Sequence, residues 1–208
     1  MNIVLLGIQG AGKGTLVSYL QQKLNFNLIS AGQLCRDEIL AGSDLGKKLK
    51  ERIDNGLLAD FDTIFALVKD KLKHADNSIT IFDGFPRTVE QAEALEQIAK
   101  VDLVIYLKLD KAVAVDRILN RLTCERCGHV TAKSAVTSNI CRCGGKLTQR
   151  ADDTLESIEN RFEVFETETL PLINYYGERG IVYEVDANKY PTAILLDVMK
   201  VIENEHKN

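Results

Sequence analysis

The stretch Ile3-Val4-Leu5-Leu6-Gly7-Ile8-Gln9-Gly10-Ala11-Gly12-Lys13-Gly14-Thr15 decides the fold. Its four consecutive apolar residues read as a strand buried on both faces. The glycine run opens onto Leu16, Leu20 and Leu24, spaced for one face of a helix. Strand, glycine-rich turn and helix, in that order, are the context of a phosphate-binding loop. Glycines let successive backbone N–H groups point inward at a phosphate, and the helix N-terminus adds partial positive charge. Lys13 supplies a full charge for the outer phosphates. The candidate phosphate-binding segment is therefore Gly10, Ala11, Gly12, Lys13, Gly14 and Thr15. A bare strand-to-helix turn needs one or two glycines and no lysine ordered beside a backbone nest. The general motif ends in Lys followed directly by Ser or Thr, whereas here Gly14 intervenes and the hydroxyl comes at Thr15. That spacing argues against a generic ATPase or GTPase and toward a particular subgroup.

The chain has 208 residues, 45% hydrophobic and 27% charged, enough for one sizeable core with small inserted subdomains. A net charge of -4 argues against a general polyanion-binding surface, so a nucleotide site must gather its own basic residues. No apolar run approaches the roughly 20 residues that span a bilayer. The N-terminus lacks the pattern of a secretory signal. Five cysteines, four of them in short-spaced pairs, fit a metal site in a reducing compartment better than a disulfide framework. Cytoplasm is the expected location.

Ile3–Leu6, Ile79–Phe82 and Leu103–Leu107 read as buried parallel strands, with weaker patterns at Ile181–Val185 and Leu28–Ile29. Helical periodicity fills Lys13–Leu24, Thr88–Ala99 and Lys111–Leu122. This alternation predicts an α/β fold with a doubly wound parallel sheet. Two stretches interrupt it. Residues 30–59 carry helical turns punctuated by Gly32, Gly42, Gly46 and Gly56, and residues 121–153 hold the cysteines with little apolar periodicity. The expected division is a core of 1–29, 60–120 and 154–208 with insertions at 30–59 and 121–153.

Four motifs point to one family. The loop with Gly14 between Lys13 and Thr15 resembles that of the adenylate kinases. Ile29-Ser30-Ala31-Gly32-Gln33-Leu34-Cys35-Arg36 is similar to the family's Ser-Thr-Gly-Asp-x-x-Arg segment. Asp83-Gly84-Phe85-Pro86-Arg87-Thr88, followed by Gln91, matches the family's Asp-Gly-Phe-Pro-Arg-Thr motif in full. Gln149-Arg150-Ala151-Asp152-Asp153 and Arg161 resemble the segment after the lid. The resemblance implies reversible phosphoryl transfer from ATP-Mg to AMP, giving two ADP. It implies a phosphate-loop kinase core, a helical monophosphate-binding arm at 30–59 and a small zinc-binding lid at 121–153. It also implies a monomer working on nucleotides, without nucleic acid or membrane. Three positions depart from the family: Gln9 stands for Pro, Ala31 for Thr and Gln33 for Asp.

Phosphoryl transfer needs positioning and charge neutralisation more than covalent help. Arginine suits it, because its planar fork holds two phosphate oxygens and keeps its charge when buried. By resemblance, Arg36 and Arg87 grip the AMP phosphate, with Ala31, Gly84 and Gln91 beside the nucleotide. Arg117, Arg121, Arg150 and Arg161 close over the ATP phosphates and the transferring group, Arg150 and Arg161 also touching AMP. The catalytic set is Lys13, Arg87, Arg121, Arg150 and Arg161. Spacing adds two expectations: Asp110 caps a helix that carries Arg117 and Arg121 on one face, and Asp153 with Glu156 forms a capping box for the helix that carries Arg161. Asp83 ends an apolar strand, where a carboxylate holds magnesium through its waters. Gln91 has both donor and acceptor for a base edge. His74, His129 and His206 read as surface residues, and no general base is needed for an acceptor that is already anionic.

Cys124-Glu125-Arg126-Cys127-Gly128 forms a zinc-knuckle half, and Cys141-Arg142-Cys143-Gly144 is one residue shorter than the usual partner half. Cys124, Cys127, Cys141 and Cys143 are the expected structural zinc ligands, His129 or an aspartate being the alternative to one thiol. So polar a segment needs such a staple to fold. Cys35 reads as a packed residue. Two other functions remain open from the residues: a kinase of another nucleoside monophosphate, suggested by Ala31 and Gln33, and a zinc-containing, ATP-dependent nucleic-acid-binding regulator. The acidic balance counts against the second.

Overall fold

Short apolar runs alternate with amphipathic stretches along the chain, and each pair builds a strand and its crossover helix. The computed structural model describes residues 1–55, 57–76, 78–150 and 153–205. Gly56, Ala151, Asp152 and His206, singled out above, lie outside the described residues. Strand β1 (Asn2–Leu6) feeds the glycine loop and α1 (Lys13–Leu20); β2 (Asn27–Ser30) leads to α2 (Ala31–Leu40), α3 (Asp44–Asp54) and α4 (Phe61–Lys73). Then β3 (Thr80–Asp83) precedes α5 (Val89–Glu96), and β4 (Leu103–Lys108) precedes α6 (Lys111–Leu119). A small antiparallel group follows: β5 (Arg121–Cys124), β6 (Val130–Ala132) and β7 (Leu147–Thr148). The chain returns through α7 (Leu155–Val164), a π-helical turn at Phe165–Thr169, α8 (Pro171–Gly177), β8 (Val182–Asp186) and α9 (Pro191–Glu205).

The main sheet has the order β2-β3-β1-β4-β8, and every neighbouring pair is parallel. β1 is its middle strand. Alternate residues of β1 enter two separate cores: Ile3 and Leu5 pack in one, Val4 and Leu6 in the other. Burial on both faces is why the strand reads as an unbroken apolar run. The connection after β1 leaves to one side and the one after β3 crosses to the other. This places the crevice at the carboxyl ends of β1 and β3.

The expected strands all form, with ends shifted by a residue or two. Three helix-end expectations need correction. The α6 helix stops at Leu119, and Arg121 opens β5. Asn120 takes the helix C-cap and its carbonyl accepts from Lys133 N at 2.7 Å, which turns the chain into antiparallel pairing with β6. Arg117 and Arg121 therefore do not share a helix face. Asp110 stands at the N-cap of α6 but makes no side-chain cap bond. Thr154, not Asp153, caps α7, its Oγ1 accepting from Ser157 N at 3.2 Å. Asp153 is drawn instead into a buried ion pair, a stronger demand on a carboxylate than a helix terminus.

Residues 31–54 form two helices packed tightly through Gly46. A Cβ at this glycine would lie 2.3 Å from the carbonyl oxygen of Glu38, so α2 and α3 approach as closely as backbone allows. Ser43 locks the corner, accepting from Gly46 N at 2.9 Å and donating to Glu38 Oε1 at 2.6 Å. Gly46→Ala is expected to force the helices apart and cost about 1–3 kcal/mol, the usual range for overpacking. A denaturant midpoint unchanged from the parent would show that the close approach is dispensable.

Candidate active site

Parallel pairing brings all the strand ends to one edge, and the polar residues gather there. Leu5 of β1 pairs with Asp83 of β3, which pairs with Ser30 of β2. Ser30 Oγ donates to Asp83 Oδ2 at 3.4 Å. The loop from Gly7 to Gly12 leaves β1 directly beside them. Gly10 has φ +88°, and a Cβ there would lie 2.8 Å from the carbonyl oxygen of Ala114, so the turn needs glycine twice over. Gly12, with φ 92°, caps α1 in the left-handed conformation, and Ala11 is fully buried. Gly14 and Thr15 fall in the first turn of α1, behind Lys13.

The Lys13 ammonium donates to the carbonyls of Gly7 and Ile8, the latter at 3.3 Å. Burial lowers its pKa to about 8; Asp83 opposes the shift, while Arg87 and Arg121 add to it. Burial also pulls the Arg87 guanidinium below its ordinary value, against Asp83 and together with Arg161. Lys13 thus feels Asp83, Arg87 and Arg121, and Arg87 in turn feels Asp83 and Arg161.

The Asp-Gly-Phe-Pro-Arg segment is braced by its own neighbours. Arg87 Nε donates to Gly84 O at 2.9 Å, and Arg87 N donates to Gln91 Oε1 at 2.7 Å. The expectation that Gln91 turns its whole amide to a base therefore needs amending, because its oxygen already serves the motif's backbone. Gln91 is buried and, with Leu57, Leu58, Ala59 and Phe61, lines a cleft of 290 Å³.

Asp153 organises the opposite side. It is fully buried and takes a two-pronged contact from Arg121, Nε to Oδ2 at 2.7 Å and Nη2 to Oδ1 at 2.6 Å. Arg161 Nη1 lies 3.9 Å from Asp153 Oδ1, and its Nη2 donates to Ile53 O at 3.5 Å. Sequence reading gave Asp153 only a capping role, and its centrality lacked a local signal. Arg150 Nε donates to Thr123 Oγ1 at 3.0 Å. Arg36 Nη2 donates to Gln33 Oε1 at 2.9 Å, and Gln33 Nε2 donates to Asp37 Oδ1 at 2.7 Å. Arg117 lies in the last turn of α6. Ala31 is buried at the start of α2, and Cys35 packs in the same helix as expected, where burial raises its thiol pKa.

The four remaining cysteines converge. Their sulfurs all lie within 4.8 Å of one another, with Cys124–Cys143 at 3.5 Å and Cys127–Cys141 at 3.8 Å. A tetrahedral zinc with Zn–S bonds of about 2.3 Å requires sulfurs roughly 3.8 Å apart. Backbone turns explain how the shorter half succeeds: Gly128 N donates to Cys124 O at 2.9 Å and Gly144 N to Cys141 O at 2.8 Å. The Cys124 thiol is drawn down to about 7, chiefly by the backbone N–H of Cys127, while the Cys127 thiol, despite a backbone contact from His129, is pushed up to about 12 by the hydrogen bonds it shares with Cys143 and Cys124, so Cys124 gives up its proton first. His129 is exposed and takes part through its carbonyl, accepting from Cys124 N. The donor set fits zinc. No helix among the described residues is long and apolar enough to cross a membrane.

Comparison with known proteins agrees with this geometry. The model of a family described as adenylate kinase matches residues 5–181. The adenylate kinase of Archaeoglobus fulgidus is 38% identical over 213 residues, covering 98% of this chain and 98% of that protein. That of Kosmotoga olearia is 38% identical, covering 98% of this chain and 100% of the relative. That of Caldanaerobacter subterraneus subsp. tengcongensis is 35% identical, with 100% and 99% covered.

Removing Asp153 would leave Arg121 and Arg161 facing each other without their shared carboxylate. Asp153→Ala is expected to lower stability by about 3–5 kcal/mol, the cost of breaking a buried pair from one side. Urea unfolding measures it. A loss below about 1 kcal/mol, typical of an exposed pair, would mean the contact is not the clamp described here.

Proposed function

The chain belongs to the adenylate kinase family, and we propose that its own residues divide phosphoryl transfer from ATP-Mg to AMP as follows. The carrying observation is that Arg87 and Arg121 lie close enough to act on Lys13 beside the loop after β1, while Arg161 acts on Arg87 and shares Asp153 with Arg121. Backbone N–H groups from Gly10 to Thr15 cradle the ATP phosphates. Lys13 follows the charge as it moves; phosphate oxygens beside it restore the proton affinity that burial takes away. Asp83 would hold the waters of a magnesium ion bound with ATP, an ion that would neutralise phosphate oxygens. Arg36 and Arg87 hold the AMP phosphate, and one of its oxygens attacks phosphorus as the bond to the leaving ADP breaks. The attacking oxygen already carries charge, so no base is required. Arg117, Arg121, Arg150 and Arg161 stabilise the charge spread over the transferring group.

Segment 30–59 serves as the monophosphate arm and segment 121–153 as the lid, hinged on the core. The cleft formed by Gln91 with Leu57, Leu58 and Ala59 receives the adenine; Ala31 and Gly84 are assigned to AMP by the family resemblance. Cys124, Cys127, Cys141 and Cys143 bind one structural zinc that staples the lid and takes no part in the reaction. Their thiol separations and paired glycine turns support this reading. Family membership and the acidic balance favour the kinase over the nucleic-acid-binding regulator. Four cysteines paired at metal-ligand spacing support a reducing, cytoplasmic setting, and we read the protein as a monomer.

A coupled assay with AMP, CMP, UMP and GMP tests the acceptor. AMP is expected to be best. Ala31 lacks a hydroxyl that is worth roughly 0.5–1.5 kcal/mol, so tolerance of other bases rises by at most about tenfold, and Ala31→Thr sharpens selectivity. Another base preferred over AMP by tenfold or more would overturn the assignment. In the same assay Lys13→Ala should lower turnover by orders of magnitude with the fold intact.

Metal analysis should find one zinc per chain. Chelation should lower the melting temperature and open residues near 121–153 to proteolysis, while any activity that survives keeps its preference for AMP. Protein made with ample zinc that carries no metal and reacts freely at all four thiols would end the zinc reading.

A further inference from the structure

Helices α7 and α8 continue one another through the π-turn at Phe165–Thr169, where Leu170 N reaches past the usual partner to Phe165 O at 2.7 Å. Pro171 supplies a cause. It has no N–H for the carbonyl of Thr167, and its ring would crowd that carbonyl in a regular helix. Widening the turn relieves both and inserts one extra residue, a device found often at functional sites. The residue this presents to the core is Thr169, which is 6% exposed. Its Oγ1 donates to the carbonyl oxygen of Arg87 at 2.9 Å, across 82 residues of sequence.

The Arg87 backbone is therefore held on both sides by buried side chains. Gln91 Oε1 accepts from its N–H at 2.7 Å, and Thr169 binds its carbonyl. The side chain is tied as well, through Nε to Gly84 O at 2.9 Å. A guanidinium with both peptide groups and its Nε anchored has few ways left to turn.

We propose that Thr169 is a positioning residue for phosphoryl transfer: it sets the approach of the Arg87 guanidinium to the phosphate by holding the Arg87 carbonyl. The inference rests on the assignment of Arg87 to the AMP phosphate made above. Thr169 touches no substrate and acts only through Arg87. Nothing in the Asp-Gly-Phe-Pro-Arg motif announces it, because the partner arrives from the far side of the fold.

The test compares Thr169→Val, which keeps the shape and removes the hydroxyl, with Thr169→Ser, which keeps the hydroxyl. Misplacement of a reacting partner by about 1 Å costs on the order of a hundredfold, so Thr169→Val should lower kcat/KM for AMP by roughly ten- to a hundredfold. Thr169→Ser should stay within about threefold of the parent, and KM for ATP should hold in both, since uniform binding of that substrate is untouched. On an Arg87→Ala background the valine change should have no further effect, as expected of coupled residues. Thr169→Ala replaces the valine variant if that one fails to fold. Equal losses in the valine and serine variants would mean packing, not the hydroxyl, matters, and would overturn the proposal. So would parent-like kinetics for Thr169→Val beside a collapse for Arg87→Ala, which leaves the Arg87 assignment standing. Parent-like turnover of Arg87→Ala itself removes that assignment and the proposal with it.

Discussion

Like charges crowd one edge of the sheet, and two carboxylates keep them there. Lys13, Arg87, Arg121 and Arg161 act on one another within a partly buried site, where Coulomb repulsion is far stronger than in water. Asp83 stands among them at the end of β3, and Asp153 holds Arg121 and Arg161 from the other side. Burial lowers the Lys13 pKa to about 8; Asp83 opposes the shift, and Arg87 and Arg121 add smaller pushes in the same direction as burial. Such an arrangement disfavours the free protein and favours whatever brings concentrated negative charge. That is the bias a phosphoryl-transfer site requires, because the donors are oriented before the charge develops. The rest of the molecule follows from it. The parallel sheet aligns the strand ends, and Lys13 at the start of α1, Arg87 in the loop after β3, Arg121 in β5 and Arg161 in α7 are brought to that edge.

The cysteine segment belongs to the same system. Its apolar core among the described residues is only Leu122, Cys124, Cys141 and Leu147. A core this small does not hold a subdomain without a staple, and a zinc on the four converging thiols would supply one. Its first strand begins with Arg121, and the chain leaves it at Asp153, so the two-pronged contact between these residues closes the base of the segment as well as shaping the charge centre. One buried ion pair thereby ties the position of the cysteine segment to the electrostatics of the site.

Where local pattern dominates, sequence reading reaches the structure. The apolar run at Ile3–Leu6 could only be a strand covered on both faces, and the glycine spacing after it could only suit a turn with left-handed residues. Thr88 caps α5 at the start of the expected helical stretch. The cysteine spacing indicated convergence, and even the shortened half closes through its Gly144 turn. The misreadings fall where local preference met a stronger distant claim. Arg121 had good helical spacing from Arg117, but pairing with β6 drew it into a strand. Asp153 had good capping spacing, but two arginines drew it into the interior and Thr154 took the cap. Gln91 was picked for a base edge from its offset to Arg87, and its amide oxygen serves the Arg87 backbone.

The sequence by itself determined the α/β class, the glycine turn after β1, the convergence of four cysteines and the family. Each rests on residues a few positions apart, where periodicity, glycine conformation and ligand spacing act directly. Tertiary structure alone decided which carboxylate holds which arginine, and which hydroxyl steadies Arg87. Arg121 and Asp153 are 32 residues apart, and Arg87 and Thr169 are 82 apart. The burial that makes those contacts strong arises only when the sheet, α7 and the π-turn pack together. Until that packing excludes water, an aspartate or a threonine carries no mark of the partner it will find.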